Sequence, residues 1–157
     1  PNPYHVPVDA RRIVVVDLSQ YQMYFFPYGR EIRSFPCVLG RPSLPTPQGH
    51  FKIYANGMNP GGPYGARIMS YHPPCAIHGT NEPQLLKRFP RNFSHGCTRL
   101  SNANAIWLYD HAPIGPPVWN VRGAARLPND PDASAGRGDR HPPYRGRVGT
   151  RPRVPDR

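Results

Sequence analysis

The sequence predicts a mainly β fold, a sandwich or mixed sheet with one short helix in its second half. Residues 13–18 form a short, continuous, β-branched run, which is typical of a buried strand. Residues 50–54 alternate between apolar and polar side chains, which is typical of a half-buried strand. Only residues 103–111 predict a helix of more than one turn, with Ser101 or Asn102 as its N-cap.

The first half is predicted to open as a β-meander. Residues 22–26 and 31–39 continue from the first strand, with a proline–glycine turn at residues 27–30 between them. Residues 40–49 contain three prolines, which cannot donate to a strand ladder, so we expect a loop. The glycine-, proline- and asparagine-rich residues 55–65 predict a second loop, long enough to reach over a groove.

The second half alternates short strands with turns. Residues 66–71 and 75–77 predict two strands, and residues 84–89 predict a single helical turn before a proline. Residues 118–121 follow the helix and predict a final strand. We therefore expect one domain over residues 12–121.

Length and composition place irregular segments on both sides of that domain. The chain of 157 residues has room for one core. Residues 1–11 are interrupted by prolines and predict an irregular lead-in, whereas residues 122–157 lack apolar periodicity and predict a disordered basic tail. The tail either holds an anionic wall polymer by charge or is a solvated tail without a role.

The charge favours an anionic environment without identifying it. A formal net charge of +11 and a pI of about 10.2 suit nucleic acid, acidic lipid and anionic cell-wall polymer equally. We find no nucleic-acid-binding motif, so no specific nucleic-acid partner is expected. No apolar run is long enough to cross a bilayer, so no transmembrane segment is expected.

Residues 93–100, Phe-Ser-His-Gly-Cys-Thr-Arg-Leu, carry the strongest chemical signal. A cysteine attacks as thiolate, and His95 and Arg99 are neighbours that favour that form of Cys97. Gly96 permits a close backbone approach, and the amides of Gly96 and Cys97 are candidate oxyanion donors. The alternative is an inert structural cysteine in a turn.

A second segment, Ile-His-Gly-Thr at residues 77–80, offers His78 as the base that a thiol needs, whereas taken alone His78 is more typical of a structural histidine in a turn or core. Together the two segments resemble the L,D-transpeptidase catalytic domain, or YkuD family, which pairs an Ile-His-Gly-Thr segment with Ser-His-Gly-Cys-x-Arg-Leu. Residues 40–53 are similar to its Gly-x-Pro and Pro-Thr-Pro-x-Gly-x-Phe-x-Ile segment, so the resemblance covers roughly residues 12–121. It implies a YkuD-type β-sandwich or mixed sheet.

The resemblance also implies an activity. The family transfers acyl groups within peptidoglycan: its cysteine attacks the bond between a diamino acid and D-alanine, D-alanine leaves, and a neighbouring amine resolves the thioester as a 3→3 crosslink. Water as acceptor gives carboxypeptidase activity, and attachment or detachment of wall proteins is a third outcome. No cofactor or metal is implied, and the implied location is the periplasm or cell envelope.

Site roles follow from the matching positions. The resemblance implies that Cys97 is the nucleophile, that His78 is the base oriented by the Gly79 carbonyl, and that His95 supports the thiolate or substrate. The resemblance also implies that Ser94 and Gly96 shape the loop and that Ser94 contacts the substrate. Arg99 either binds a substrate carboxylate or orders the loop. Tyr64 is either a wall of the cleft or an ordinary surface tyrosine. We expect the Cys97 sulfur to lie beside the His78 imidazole and to face an open channel.

The chain departs from the family pattern between the two motifs. Residues 87–93 replace the small, apolar residues that many members have there, and Thr98 replaces the more usual isoleucine. The bulk and charge of this linker bear on the shape of the cleft rather than on the chemistry.

Three rival functions were compared. Cys75, His78, His95 and Cys97 have the spacing of zinc ligands, but a closed zinc site leaves Ser94 and Gly96 unexplained and sets an arginine beside a cation. A non-catalytic basic wall-binding or nucleic-acid-binding module would explain the charge alone. A papain-like hydrolase places its cysteine before its histidine, which is opposite to the order here.

Two cysteines remain besides the nucleophile. Cys37 and Cys75 form either one disulfide or two unpaired thiols, and the sequence leaves both open.

Overall fold

A computed structural model describes residues 3–112 and 114–123. Regular elements in that part of the chain are β1 (Ile13–Asp17), β2 (Gln22–Phe26), β3 (Arg33–Pro36), β4 (Leu39–Gly40), β5 (Gly49–Lys52), β6 (Ala55–Met58), β7 (Arg67–His72), β8 (Cys75–His78), β9 (Asn92–Ser94), β10 (Thr98–Arg99), α1 (Asn102–His111) and β11 (Pro117–Val121). Short 3₁₀ turns lie at Pro27–Gly29, Gly62–Tyr64 and Pro83–Lys87. The prediction of a mainly β fold with one helix after the cysteine motif is confirmed.

The strands form three hydrogen-bonded groups. A five-stranded sheet has the order β3-β2-β1-β11-β5, in which β1 and β11 are parallel and the other pairs are antiparallel. A four-stranded sheet has the order β10-β8-β7-β6, with β10 parallel to β8. Strands β4 and β9 pair in parallel between them. Both larger sheets are therefore mixed.

Hydrophobic alternation explains how these sheets pack. Val14 and Val16 of β1 join the main core, which also holds residues of β2, β7, β8 and α1. Ile13 and Val15 point to the opposite face of the same strand, into a second cluster. Two residues of the lead-in complete that cluster, since Tyr4 and Val6 are buried there. Both faces of β1 are thus covered, as its continuous apolar run predicts.

The single helix begins where the capping chemistry dictates. Ser101 is the N-cap, and its Oγ accepts from the Asn104 amide at 3.1 Å. The helix packs on β7 and β8 through Ala105 and Leu108. Because α1 starts two residues after β10, its N-terminus lies beside the ends of the strands that carry the two motifs.

Three local predictions were wrong. Residues 31–39 form two short strands rather than one, because the chain leaves β2 after Cys37: the Val38 and Leu39 amides donate to the carbonyls of Arg99 and Arg91 at 2.9 and 2.8 Å. Residues 55–58, predicted as loop from their polar composition, pair with β7 as strand β6. Strands β9 and β10 went unpredicted because they contain only three and two residues.

The division into lead-in, domain and tail stays a prediction, and residues 124–157 of the predicted tail lie outside the described residues. In the part of the chain that the structure describes, no helix combines the length and apolar character needed to cross a membrane.

Candidate active site

The two sequence motifs meet along one parallel strand pair. Thr98 pairs with Ile77, and Arg99 pairs with His78. Cys97 directly precedes β10, and His78 is the last residue of β8. When the pairing is extended by one residue, Cys97 lies two positions from His78 along the neighbouring strand. At 3.3 Å per residue and 4.8 Å between strands, their Cα atoms are roughly 8 Å apart. The strand alternation also puts them on the same face.

His78 is held by its own backbone. Its Nδ1 lies 2.6 Å from the carbonyl oxygen of Gly79. Since a carbonyl only accepts, this hydrogen bond requires the proton on Nδ1 and leaves Nε2 as the acceptor of a neutral ring. The Tyr64 ring packs edge-on against the imidazole, with 5.0 Å between ring centroids. Tyr64, the candidate cleft-wall residue, therefore contacts His78, the candidate base.

The Cys97 sulfur is contacted by the backbone at the start of β8 and just before it. The Ala76 amide donates to Sγ at 3.3 Å, and the Pro74 carbonyl lies 4.0 Å from it. An amide donor stabilises the thiolate, while the carbonyl accepts from the neutral thiol. Cys97 is 1% exposed and His78 2% exposed, so in this conformation of the described residues the predicted open channel is closed.

Ser94 and Gly96 shape the loop that presents the cysteine. The Ser94 hydroxyl donates to the Cys97 carbonyl at 2.7 Å and accepts from the Gly96 amide at 3.0 Å. Ser94 is fully buried, so its hydroxyl does not face a substrate here. Gly96 has a φ of +128°, which favours glycine, and its amide is engaged by Ser94 rather than aimed at an oxyanion. The loop-shaping roles fit this geometry better than the substrate and oxyanion roles.

Arg99 is fixed at its backbone and only weakly held at its head. Its amide and carbonyl both bond to Val38 at 2.9 Å. The guanidinium Nη1 lies 3.9 Å from Glu82 Oε1, and the buried Nε has no hydrogen-bond partner among the described residues. The other motif histidine, His95, is partly exposed. Both roles considered for Arg99, loop order and carboxylate binding, fit this geometry.

Asn102 is a site residue that sequence reasoning missed. Its Oδ1 accepts from the amides of Ala66 and Thr80 at 2.9 and 3.1 Å, and its Nδ2 donates to the Thr80 carbonyl at 3.1 Å. A side chain at Gly65 or Gly79 would collide with this amide group. Asn102 thus ties the helix to the loops around His78. In the sequence, its position directly after the cysteine motif indicates only a candidate N-cap.

The divergent linker is attached to the fold by two arginines. Arg91 donates to the carbonyls of Cys37 and Tyr21 at 3.2 and 2.7 Å. Arg41 donates through Nη2 to the carbonyl of Phe93 at 3.0 Å. These contacts pair the linker with β4 and fix the approach to the cysteine loop. No motif signals them in the sequence.

The other cysteines are structural. Cys37, Cys75 and Cys97 are all buried thiols rather than disulfide partners in the described structure. Burial raises the pKa of the Cys37 thiol far above its usual range, although the nearby Arg91 lowers it in part. Among residues 3–112 and 114–123, no three His, Cys, Asp or Glu side chains are grouped so as to hold a metal.

The protein is a β-rich domain with mixed sheets. Its parallel strand pair β8 and β10 brings a cysteine close to a histidine that is oriented by the backbone, and this arrangement defines its class. Residues 11–119 match the model of the L,D-transpeptidase catalytic domain, YkuD. The chain belongs to this family.

Individual relatives agree with that assignment. YkuD of Bacillus subtilis is 31% identical over 116 residues, covering 73% of this chain and 66% of that protein. An L,D-transpeptidase from Mycobacterium smegmatis matches with a TM-score of 0.61 at 25% identity, covering 71% of this chain and 58% of that one. L,D-transpeptidase 3 from Mycobacterium tuberculosis, in complex with a faropenem-derived adduct, shares the fold at 22% identity with a TM-score of 0.61, covering 70% and 60%. The chain spans between about half and two thirds of the length of the curated relatives it matches.

Proposed function

We propose that this chain is an L,D-transpeptidase that acts on peptidoglycan stem peptides through a Cys97 thioester. The observation that carries the proposal is the pairing of β8 with β10, which sets Cys97 two register positions from His78. The family assignment supports it, since the match covers residues 11–119 and includes both motifs.

The chemistry is two successive acyl transfers. His78 Nε2 takes the thiol proton, and the Cys97 sulfur attacks the carbonyl of the diamino acid at stem position three. The tetrahedral intermediate collapses as the bond to D-alanine breaks, and D-alanine leaves with a proton from His78. A side-chain amine of a second stem then attacks the thioester, which forms a 3→3 crosslink and frees the sulfur. Water in place of the amine gives carboxypeptidase activity at the same site.

The other site residues act by positioning. The Gly79 carbonyl fixes the His78 tautomer, as a carboxylate does in other triads. The Ala76 amide, 3.3 Å from the sulfur, favours the thiolate. Ser94 and Gly96 hold the loop, and the unpartnered Nε of Arg99 suits a carboxylate of the bound stem.

Substrate entry requires local opening. Because Cys97 is 1% exposed, a stem peptide reaches the sulfur only when the covering loop moves. The turn that holds Tyr64 is the element we assign to this motion, since its ring lies against His78. This activity places the protein in the cell envelope, where its substrate is.

The direct test is mass spectrometry of the products formed from a disaccharide-tetrapeptide. We expect release of D-alanine and formation of a dimer with a 3→3 link, together with tripeptide if water competes. The Cys97→Ala variant should form none of these products. Activity that persists in the variant, or a folded wild-type protein that releases no D-alanine, would overturn the proposal.

A further inference from the structure

A basic surface lies on the linker where this chain departs from its family. It consists of Arg41, Lys87, Arg88, Phe89 and Arg91, and is called the linker ridge below. Lys87, Arg88 and Phe89 are exposed, and Phe89, at 71%, is among the most exposed large apolar side chains of the described residues. One exposed phenylalanine is ordinary on its own, so what distinguishes this surface is the grouping of four cations around it.

The ridge is rigid because its side chains are packed and bonded. Arg91 is fixed by two backbone carbonyls, and its guanidinium lies 5.6 Å from the Phe89 ring centroid. Arg88 lies 4.7 Å over the ring of Phe93. The Phe89 ring also meets Tyr21 edge-on at 5.4 Å. These contacts preorganise the charged groups and lower the entropy cost of binding.

The positive charge of the ridge is uncompensated. Within residues 3–112 and 114–123, none of its four cations forms an ion pair, and Arg41 and Arg91 bond only to backbone carbonyls there. The nearest charge pairing in sequence, between Glu82 and Arg99, lies outside the ridge. Clustered cations that form no ion pair attract anions and pair well with carboxylates.

The ridge leads to the candidate nucleophile. Arg41 donates to the carbonyls of Phe93 and Ser94, and Ser94 in turn holds the Cys97 carbonyl. Arg41 of the ridge is thus joined by consecutive hydrogen bonds to the loop that presents Cys97, so an anion bound at Arg41 is held close to that loop. The simplest such anion is one that is covalently part of the substrate of Cys97.

We propose that the linker ridge binds the free carboxylates of the peptidoglycan strand whose stem peptide occupies the Cys97 site. This rests on the proposed function and adds to it a polymer-binding surface outside the catalytic loop. Stem peptides carry free carboxylates along a glycan strand, so several arginines engage one strand at once. The exposed Phe89 packs against the apolar faces of the sugars or alanines.

The test is co-sedimentation of the full-length chain with purified peptidoglycan in a Cys97→Ala background, which separates binding from turnover. The ridge variant is Lys87→Gln/Arg88→Gln, and the matched control is Arg11→Gln/Arg30→Gln. The control removes the same charge near the far end of β2, roughly 15 Å from Tyr21. Residues 124–157 are identical in all proteins, so their charge cancels in the comparison.

We expect the ridge variant to bind peptidoglycan about fivefold more weakly and the control less than twofold more weakly, with the difference fading at high salt. On peptidoglycan whose carboxylates have been amidated, the two should bind alike. Equal binding of ridge variant and control on untreated peptidoglycan would overturn the proposal. So would a difference that persists after amidation, or one that appears only on walls retaining a phosphate polymer.

Failure of the ridge and failure of the proposed function give different results. With Cys97 intact, the ridge variant should react with faropenem within about twofold of the wild-type rate, because the ridge does not touch the sulfur. A wild-type protein that binds peptidoglycan through the ridge but forms no faropenem adduct would count against the catalytic proposal alone.

Discussion

His78 takes its orientation from a main-chain carbonyl, not from an acidic side chain. The hydrogen bond from Nδ1 to the Gly79 oxygen is 2.6 Å long and joins two consecutive residues, so the orientation of the ring does not depend on a residue elsewhere in the chain. A backbone carbonyl orients the ring without adding a buried negative charge. The Gly79 carbonyl accepts from Nδ1 whether or not Nε2 carries a proton, so the orientation of the ring persists when the thiol proton moves.

Replacing that base gives the first prediction. His78→Gln should slow acylation by faropenem on the order of a hundredfold or more, because the amide cannot accept the thiol proton. Stopped-flow absorbance of the penem follows the rate. His50→Gln serves as the matched control, since His50 stacks on Trp119 on the five-stranded sheet and should leave the rate within twofold. Acylation of His78→Gln at the wild-type rate would remove the base from the proposal.

Asn102 gives a second prediction at the same scale. Asn102→Ala should cost about 1 kcal/mol of unfolding free energy, because the amides of Ala66 and Thr80 and the Thr80 carbonyl lose a partner, although water replaces it in part. Urea denaturation measures this cost. Asn104→Ala, two residues further along the helix, should change it by less than about 0.5 kcal/mol. Equal effects of the two substitutions would show that the contact does not tie the loops to α1.

The residues that sequence reasoning found and those it missed differ in physical kind. Cys97 and His78 can be predicted from the sequence because their proposed chemistry requires particular side chains in a motif. Asn102 and Arg91 act through hydrogen bonds to backbone groups 22 to 70 positions away. Contacts of that kind depend on the fold and leave no local pattern.

At the scale of elements, the turn of the β6–β7 hairpin contacts the candidate base and is the cover that we assign to the proposed site. Its end is closed by hydrogen bonds from Asn59 to Ala66 and from Gly61 to Gly65, at 2.7 and 2.9 Å. The turn between them places Tyr64 on the His78 ring. The sequence predicted a loop able to reach over a groove here, but the strand that supports it was missed because β6 holds no large buried side chain.

Truncating the cover gives a third prediction. Tyr64→Ala should speed faropenem acylation a few-fold, because less contact must break before the sulfur is reached. Tyr54→Ala, which removes a ring that is 49% exposed, is the control and should leave the rate unchanged. An unchanged or slower rate for Tyr64→Ala would assign the closed conformation to another element.

The strands themselves show how far local patterns go. β1 and β2 were predicted from their apolar runs to within a residue. The break between β3 and β4 and the short strand β10 depend on tertiary partners, since β10 pairs with β8 and its Arg99 also bonds to Val38. The strands of the candidate site therefore form through tertiary pairing, whereas the strands of the core can be predicted from the hydrophobic pattern.

At the scale of the whole molecule, buried titratable groups set the alkaline limit of stability. Burial raises the pKa values of Cys37, Tyr4 and Tyr71, with a hydrogen bond to Asp17 adding to the effect on Tyr4. Each group keeps its proton in the folded state at a pH where the unfolded chain releases it. Their contribution is complete below the unfolded pKa and is lost as the pH rises above it.

The fourth prediction follows for the thiol. An unfolded thiol titrates near pH 8.5, so Cys37 alone should cost about 1 kcal/mol of stability between pH 7.5 and 9.5. Urea denaturation at the two pH values measures the loss. Cys37→Ala should be less stable at both, because the substitution leaves a cavity, yet should lose less between them. A loss as large as in the wild type would assign the alkaline sensitivity to other groups.

The most direct measurement of the central claim is mass spectrometry of the faropenem-treated protein after trypsin digestion. Cleavage after Arg91 and Arg99 isolates residues 92–99, which contain Cys97 as their single thiol. We predict an adduct on this peptide in the wild type, none on the peptides that contain Cys37 or Cys75, and no adduct in Cys97→Ala. An adduct on another residue, or an unmodified peptide 92–99 from folded protein, would contradict the assignment of Cys97 as the nucleophile.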